Sequence, residues 1–216
     1  MNSQYIVIFA VAIFMGWFAL GMIYNLRLGD KLLKWMQDGL PLIGQRTTFR
    51  WLGTSVAEMG IEKAKRPFQR LDTLLVLKPR DVFWMTILAF FQGRDDVLIF
   101  RAYLSTPPLL DLELADPKTW SGRTALNQVS ARGWESADYR GLRLMAPKGL
   151  LNLATTTLDQ LAVPMQSLAP RYVRFSLRKT APNFEIHVPF PNPRAADAKA
   201  YFQSLSNLGR AIGERS

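Results

Sequence analysis

Residues 5–24 read YIVIFAVAIFMGWFALGMIY, and no Asp, Glu, Lys or Arg precedes Arg27. As a helix at about 1.5 Å per residue, that stretch extends roughly 30 Å, the hydrocarbon thickness of a bilayer. Tyr5 and Tyr24 stand at its two ends, where amphipathic rings favour the head-group level, with Trp17 and Phe18 between them. A cleaved signal peptide needs a basic leader, a shorter apolar run and a small-x-small cleavage site. Here the leader is Met-Asn-Ser-Gln and the run is followed by Asn25-Leu26-Arg27-Leu28. The stretch therefore predicts an uncleaved signal anchor over residues 1–25.

Working outward, the flanks set an expected orientation. Arg27, Lys31, Lys34, Arg46 and Arg50 follow the span and no base precedes it. Bases close to a span stay in the cytosol, so the N-terminus is expected outside and the remaining chain in the cytosol. Residues 26–44 form a juxtamembrane segment. Within it LGDKLLKWMQDGL (28–40) has amphipathic helical spacing. It fits equally a helix lying on the membrane through Leu32, Leu33, Trp35, Met36 and Leu40, and a helix packed on the following domain.

The bulk composition agrees with a membrane-tethered protein. Of 216 residues 49% are apolar, the mean hydropathy is +0.01, and the 27 basic and 17 acidic residues all lie beyond residue 26. The net charge of +10 points to a polyanionic neighbour, either lipid head groups or nucleic acid phosphate. The absence of cysteine excludes disulfides, thiolate catalysis and cysteine metal sites. A second apolar run, VFWMTILAFF (82–91), is too short to cross a bilayer. It predicts a helix capped by Asp81 and ended by Gly93, more readily a core helix than one dipping into the membrane surface.

Residues 45–216 alternate strand-like and helix-like segments. Residues 97–104 (VLIFRAYL) read as a central strand, and Leu110, Leu112 and Leu114 as a half-buried one. Residues 116–137 read mostly as loop, and Leu142 and Leu144 mark a short strand. A helix over 149–163 carries Leu151, Ala154, Leu158 and Leu161 on one stripe. Val173, Phe175 and Leu177, then Phe184, Ile186 and Val188, alternate as a hairpin. A last helix, capped by Asn192 with Pro193 first, buries Ala198, Tyr201, Phe202, Leu205, Leu208 and Ile212. The expected fold is one α+β domain, a mostly antiparallel sheet with packed helices, behind a single transmembrane helix.

Catalytic motifs are scarce. His187 is the sole histidine and falls on the outward face of its strand by alternation, without metal-sharing partners. Asp95 and Asp96 are neighbours that point to opposite faces of a strand, so they read as turn and strand-start residues. Trp120-Ser-Gly-Arg-Thr124 reads as a polar turn. No phosphate loop, dinucleotide fingerprint, nucleophile elbow or zinc-protease motif occurs. No catalytic, cofactor-binding or metal-binding residue is expected. The bases are the clearer signal. Lys63, Lys65, Arg66 and Arg70 form one group, and Arg171, Arg174 and Arg178 a second, both candidates for contact with anionic lipid or ribosomal RNA.

Three stretches carry a resemblance to a known family. They are Leu40-Pro-Leu-Ile-Gly44 with Phe49-Arg-Trp-Leu-Gly-Thr-Ser55, then Leu77-Lys-Pro-Arg-Asp81 before the apolar helix, and finally Arg171–Arg178, Glu185-Ile-His-Val-Pro189 and Tyr201–Ile212. In order and topology they resemble calumin-like proteins, single-pass endoplasmic reticulum members of the PAT intramembrane chaperone complex. The resemblance implies work at a protein-translocation channel, close to the ribosome. That family's acidic luminal segment and charged C-terminal helix have no counterpart in this sequence, so the expectation is a compact relative. The functional expectation is a non-enzymatic, membrane-anchored factor assisting insertion or folding of membrane proteins. No cofactor, no DNA and no small-molecule substrate is expected. The alternatives are a membrane-tethered enzyme acting on a lipid or phosphorylated small molecule, and a structural subunit of a membrane complex packing through Trp17, Phe18 and Gly21.

Overall fold

The computed structural model describes residues 3–214. Its first element, α1 (Ser3–Gly39), runs unbroken from the apolar stretch into the amphipathic one. The candidate anchor and the juxtamembrane segment are therefore one rod, about 55 Å long at helical rise. Its first half is exposed along nearly its whole length, while Leu32, Trp35, Met36 and Leu40 in its second half are buried. Of the two readings of residues 28–40, packing on the domain is the one realised. The mean hydropathy of 2.6 in the best window makes α1 the one described helix long and apolar enough to cross a membrane.

The other elements are β1 (Thr47–Trp51), β2 (Val56–Ile61), β3 (Phe68–Val76), α2 (Phe83–Phe91), β4 (Val97–Leu104), β5 (Leu112–Ala115), α3 (Trp120–Ser130), β6 (Glu135–Tyr139), β7 (Leu142–Ala146), α4 (Leu151–Leu168), β8 (Arg174–Leu177), β9 (Phe184–Pro189) and α5 (Ala198–Gly213). The strands form one nine-stranded sheet in the order β1-β2-β3-β4-β9-β8-β5-β7-β6. All of its pairings are antiparallel, as expected for an α+β fold. The β8–β9 hairpin has the expected register, with Phe175 opposite Ile186.

One sheet face carries Leu98, Phe100, Phe175, Leu177, Phe184, Ile186 and Val188, all at most 1% exposed. The second half of α1 together with α4 and α5 covers that face. Phe202 of α5 meets Phe100, and Trp35 of α1 meets both Tyr201 and Phe202. The Trp35 indole N–H donates to Ala196 O at 2.7 Å, so the ring's polar edge is also satisfied. α3 lies on the opposite face, against β5, β7 and β8. The region read as loop thus contains both α3 and β6. Thr119 caps α3 by accepting from the Gly122 N–H. The final helix starts at Ala198 with Asp197 as its cap; Asn192 instead closes a separate turn, accepting from Arg194 N–H.

Glycines let α1 approach the domain. A Cβ at Gly21 would stand 2.2 Å from Arg80 O, and one at Gly39 2.4 Å from the Phe202 ring, whereas nothing lies within 4 Å of Gly16. In a helix, Ala is intrinsically better than Gly by about 1 kcal/mol. Gly16→Ala should therefore leave thermal unfolding in detergent unchanged or raise its midpoint. Gly21→Ala should lower it, because the obstacle is backbone that cannot swing aside. Equal midpoints in the two variants would show that the Gly21 contact does not hold α1 to the domain.

Candidate functional site at the base of the apolar helix

Asn25 is the first polar side chain after the apolar run of α1, and it is fully buried. Its amide donates to Ser55 Oγ (3.2 Å) and Lys78 O (3.0 Å), and its oxygen accepts from Arg80 Nη1 (3.1 Å). Arg80 in turn makes a bidentate pair with Asp96, at 2.9 and 2.7 Å. Its guanidinium also lies over the Tyr24 ring, 5.0 Å from the centroid. Asp96 further accepts from the Lys78 N–H, and Asp95 pairs with Lys78 Nζ at 3.0 Å. The two aspartates thus tie the segment before β4 to the segment before α2.

Asp81 does not cap α2. Its carboxylate accepts from the Thr54 hydroxyl at 2.5 Å, and Val82 occupies the cap position without a side-chain bond. Gly93, at φ +62°, does end the helix.

The expectation of a core helix for α2 is overturned. Only Ala89 is buried, while Phe90 is 77% and Phe91 79% exposed, with Phe83, Trp84, Met85, Ile87 and Leu88 also open. Its lone hydroxyl, Thr86 Oγ1, is satisfied internally by Pro79 O and Val82 O. Phe83 packs edge-on against Trp17 (5.1 Å between centroids) and Phe14 (6.3 Å). The Trp17 and Gly21 positions of α1 therefore face α2 and its lead-in, and Phe18 and Tyr5 remain exposed. Sequence periodicity missed this, because an all-apolar nonapeptide reads the same whether protein or lipid surrounds it.

A cleft of about 520 Å³ opens beside both ends of α2. Pro79 and Gly93 form one wall; Trp120 and Ser121 of α3, and His187 of β9, form another. Contrary to expectation, His187 does not face outward. It is 5% exposed because α3 covers its face of the sheet. Its Nε2 lies 2.6 Å from Glu185 Oε1 and its Nδ1 3.1 Å from Ser121 Oγ. Glu185 also pairs with Arg101 (2.6 Å) and Arg174 (2.9 Å). Burial alone would raise the Glu185 pKa; the His187 hydrogen bond and the nearby positive charges outweigh it and hold it at about 2. Burial pushes His187 below its ordinary value, against the pull of Glu185. A carboxylate only accepts, so the imidazole proton sits on Nε2 and Nδ1 is free to accept from Ser121.

The two expected basic faces fare differently. Lys63, Lys65, Arg66 and Arg70 are exposed, with Lys65 donating to Pro41 O and Arg70 bound to Asp72. Arg174 and Arg178 are not an open cationic face. Arg174 bonds Glu113 (2.5 Å) and Glu185, and Arg178 bonds Glu113 and lies over the Trp134 ring. Arg171 remains largely exposed and reaches Asp116 at 3.2 Å. The acids that neutralise these arginines come from β5 and β9, a long-range pairing that local charge counting does not see. No His, Asp and Glu grouping suited to a metal occurs among the described residues.

No family model matches the chain, and no curated protein matches it significantly.

The Glu185 environment gives a pH prediction. Its folded pKa of about 2 lies below the unfolded 4.5, so the unfolded state takes up protons first. Its stabilising contribution is complete above the unfolded value and is lost as pH falls toward the folded one. Acid titration by circular dichroism should therefore show a steeper loss of stability between about pH 5 and 2 in the wild type than in Glu185→Gln. Parallel curves would show that Glu185 is not held ionised by its neighbours.

Proposed function

We propose that the protein is a membrane-anchored factor that assists the insertion or folding of other membrane proteins. In this reading α1 spans the bilayer with its N-terminus outside, and the sheet domain lies in the cytosol. The observation that carries it is α2, an apolar, uncharged and largely exposed helix fixed against the apolar half of α1. Phe83 meets Trp17 and Phe14, two to three turns before Tyr24, so in this reading α2 lies roughly 10–15 Å inside the cytosolic end of the span. That is at or just beyond the roughly 5–10 Å to which interfacial helices bury their apolar face. Together the two helices offer an apolar surface inside the cytosolic leaflet, held rigidly by Asn25, Arg80 and Asp96. Such a surface suits contact with apolar segments of another protein entering the membrane. The exposed bases at Lys63, Lys65, Arg66 and Arg70 add an attraction to anionic lipid or ribosomal RNA, about 1 kcal/mol per base near a charged surface. The resemblance to calumin-like proteins supports the same assignment.

The test places a photocrosslinking amino acid at Trp84 or Leu88 of the full-length protein during synthesis of a multipass membrane protein. Crosslinks to the nascent chain, and a lowered yield of multipass proteins in Trp84→Glu and Phe91→Glu, are the expected results. Crosslinks to lipid alone, with unchanged yield in both variants, would refute the role in biogenesis.

A further inference from the structure

Ser121, His187 and Glu185 form a chain of hydrogen bonds that packing alone does not require. Each member has the protonation state that acyl transfer needs. Glu185 is a carboxylate clamped by Arg101 and Arg174, His187 holds its proton on Nε2 toward Glu185, and the Ser121 hydroxyl donates to the bare Nδ1. A nucleophile within reach of a base that a third group orients is the arrangement of covalent acyl catalysis, whichever fold supplies it. Both Ser121 and His187 line the 520 Å³ cleft, so the hydroxyl is within reach of a ligand.

We infer that this relay hydrolyses carboxylic esters, and that its substrate class is the acyl ester of a glycerophospholipid in the leaflet that α2 faces. In the first half-reaction Ser121 Oγ attacks the ester carbonyl carbon and its proton passes to His187 Nδ1. The tetrahedral intermediate collapses, the C–O bond to the glycerol oxygen breaks, and that oxygen leaves with the proton from Nδ1. In the second, water attacks the acyl-Ser121 carbonyl and gives a proton to Nδ1. Collapse releases the fatty acid and returns the proton to Ser121 Oγ. No oxidant, reductant or metal enters the balance.

The surroundings supply the remaining needs. Ser121 is the second residue of α3; Thr119 takes the Gly122 N–H, which leaves the partly positive Trp120 and Ser121 N–H groups at the helix start for a developing oxyanion. Lys78 and Arg171 in the cleft are paired with Asp95 and Asp116, whereas Arg94, over the adjacent Trp120 ring at 4.0 Å, forms no ion pair among the described residues and is the base toward which a lipid phosphate would sit. Pro79 and Gly93, which line the cleft, stand just before and just after α2 in the chain, so acyl chains would enter from the side of that apolar helix. Glu185 is a positioning residue here, since it acts through the imidazole. The inference needs only that α2 meets the membrane; it does not depend on a role in protein insertion.

The full-length protein, reconstituted in phosphatidylglycerol vesicles, is exposed to a fluorophosphonate probe, and fatty acid release is followed in parallel. The expected results are covalent labelling at Ser121 and release of fatty acid, both falling at least about 100-fold in Ser121→Ala. Ser121→Ala removes one hydroxyl and should keep the wild-type circular dichroism, so loss of signal cannot be blamed on unfolding. The charged groups facing His187 are Glu185 on its own strand, Arg174 on β8 and Glu113 on β5. In Glu185→Gln the pH midpoint of labelling should therefore move down, because the imidazolium loses its partner while Arg174 remains. Absence of both labelling and release in the wild type, or either one unchanged in Ser121→Ala, overturns the relay as a catalyst. Cleavage of soluble p-nitrophenyl esters without phospholipid cleavage overturns the lipid assignment.

Discussion

Asn25 decides how the two halves of this protein relate. It sits where α1 changes from an exposed apolar rod to a packed helix, and no water reaches it. Its amide is satisfied only by the segment that precedes α2 and by Ser55 at the start of β2. A buried amide that loses its partners costs about 1–3 kcal/mol, and the Arg80–Asp96 pair it joins would lose part of its own network as well. Gly21 enforces the same contact by bringing the helix backbone onto Arg80 O, where no larger residue fits. The apolar half of α1 is therefore not a tether on a flexible linker. It packs against the lead-in to α2, and α2 lies beside it through Phe83.

This joint gives a reason for the cleft as well. The segments on either side of α2 are drawn together by Arg80 with Asp96 and Lys78 with Asp95. The closed loop leaves α2 outside the domain and a cavity at its base. α3 closes the far side of the cavity and buries His187 against Glu185. The charged row Arg101–Glu185–Arg174–Glu113–Arg178 crosses four strands of that face and ties them together by ion pairs where no apolar layer covers them.

The apolar rod of α1 was legible because length, end aromatics and absence of charge all agree over twenty residues. The β8–β9 hairpin and the buried stripes of α4 and α5 were legible for the same reason, a clear period. β1 to β3 gave no such signal: β1 is an exposed edge strand, and β3 begins inside the basic cluster. α3 was hidden by a polar sequence whose apolar positions are small, Gly122 and Ala125 among them. It is α3 that buries His187, and alternation assigns a face without saying whether another element covers it. Arg174 and Arg178 read as free charge in sequence because the carboxylate they share, Glu113, lies 61 and 65 residues away along the chain. For α2, composition fixed the apolar character and left the environment open, and it is the environment that bears on function.

The central claim is that α2 lies within the membrane, two to three helical turns from the Tyr24 end of the apolar stretch of α1. The chain has no cysteine, so Phe91→Cys can carry a single nitroxide label without altering other sites. Accessibility of that label to oxygen and to a water-soluble nickel chelate, measured by electron paramagnetic resonance in bilayers, reports its depth. The account predicts high oxygen and low nickel accessibility, matching a label at Trp17→Cys. A Phe91 label that is open to the nickel chelate, while the Trp17 label is shielded, would contradict it.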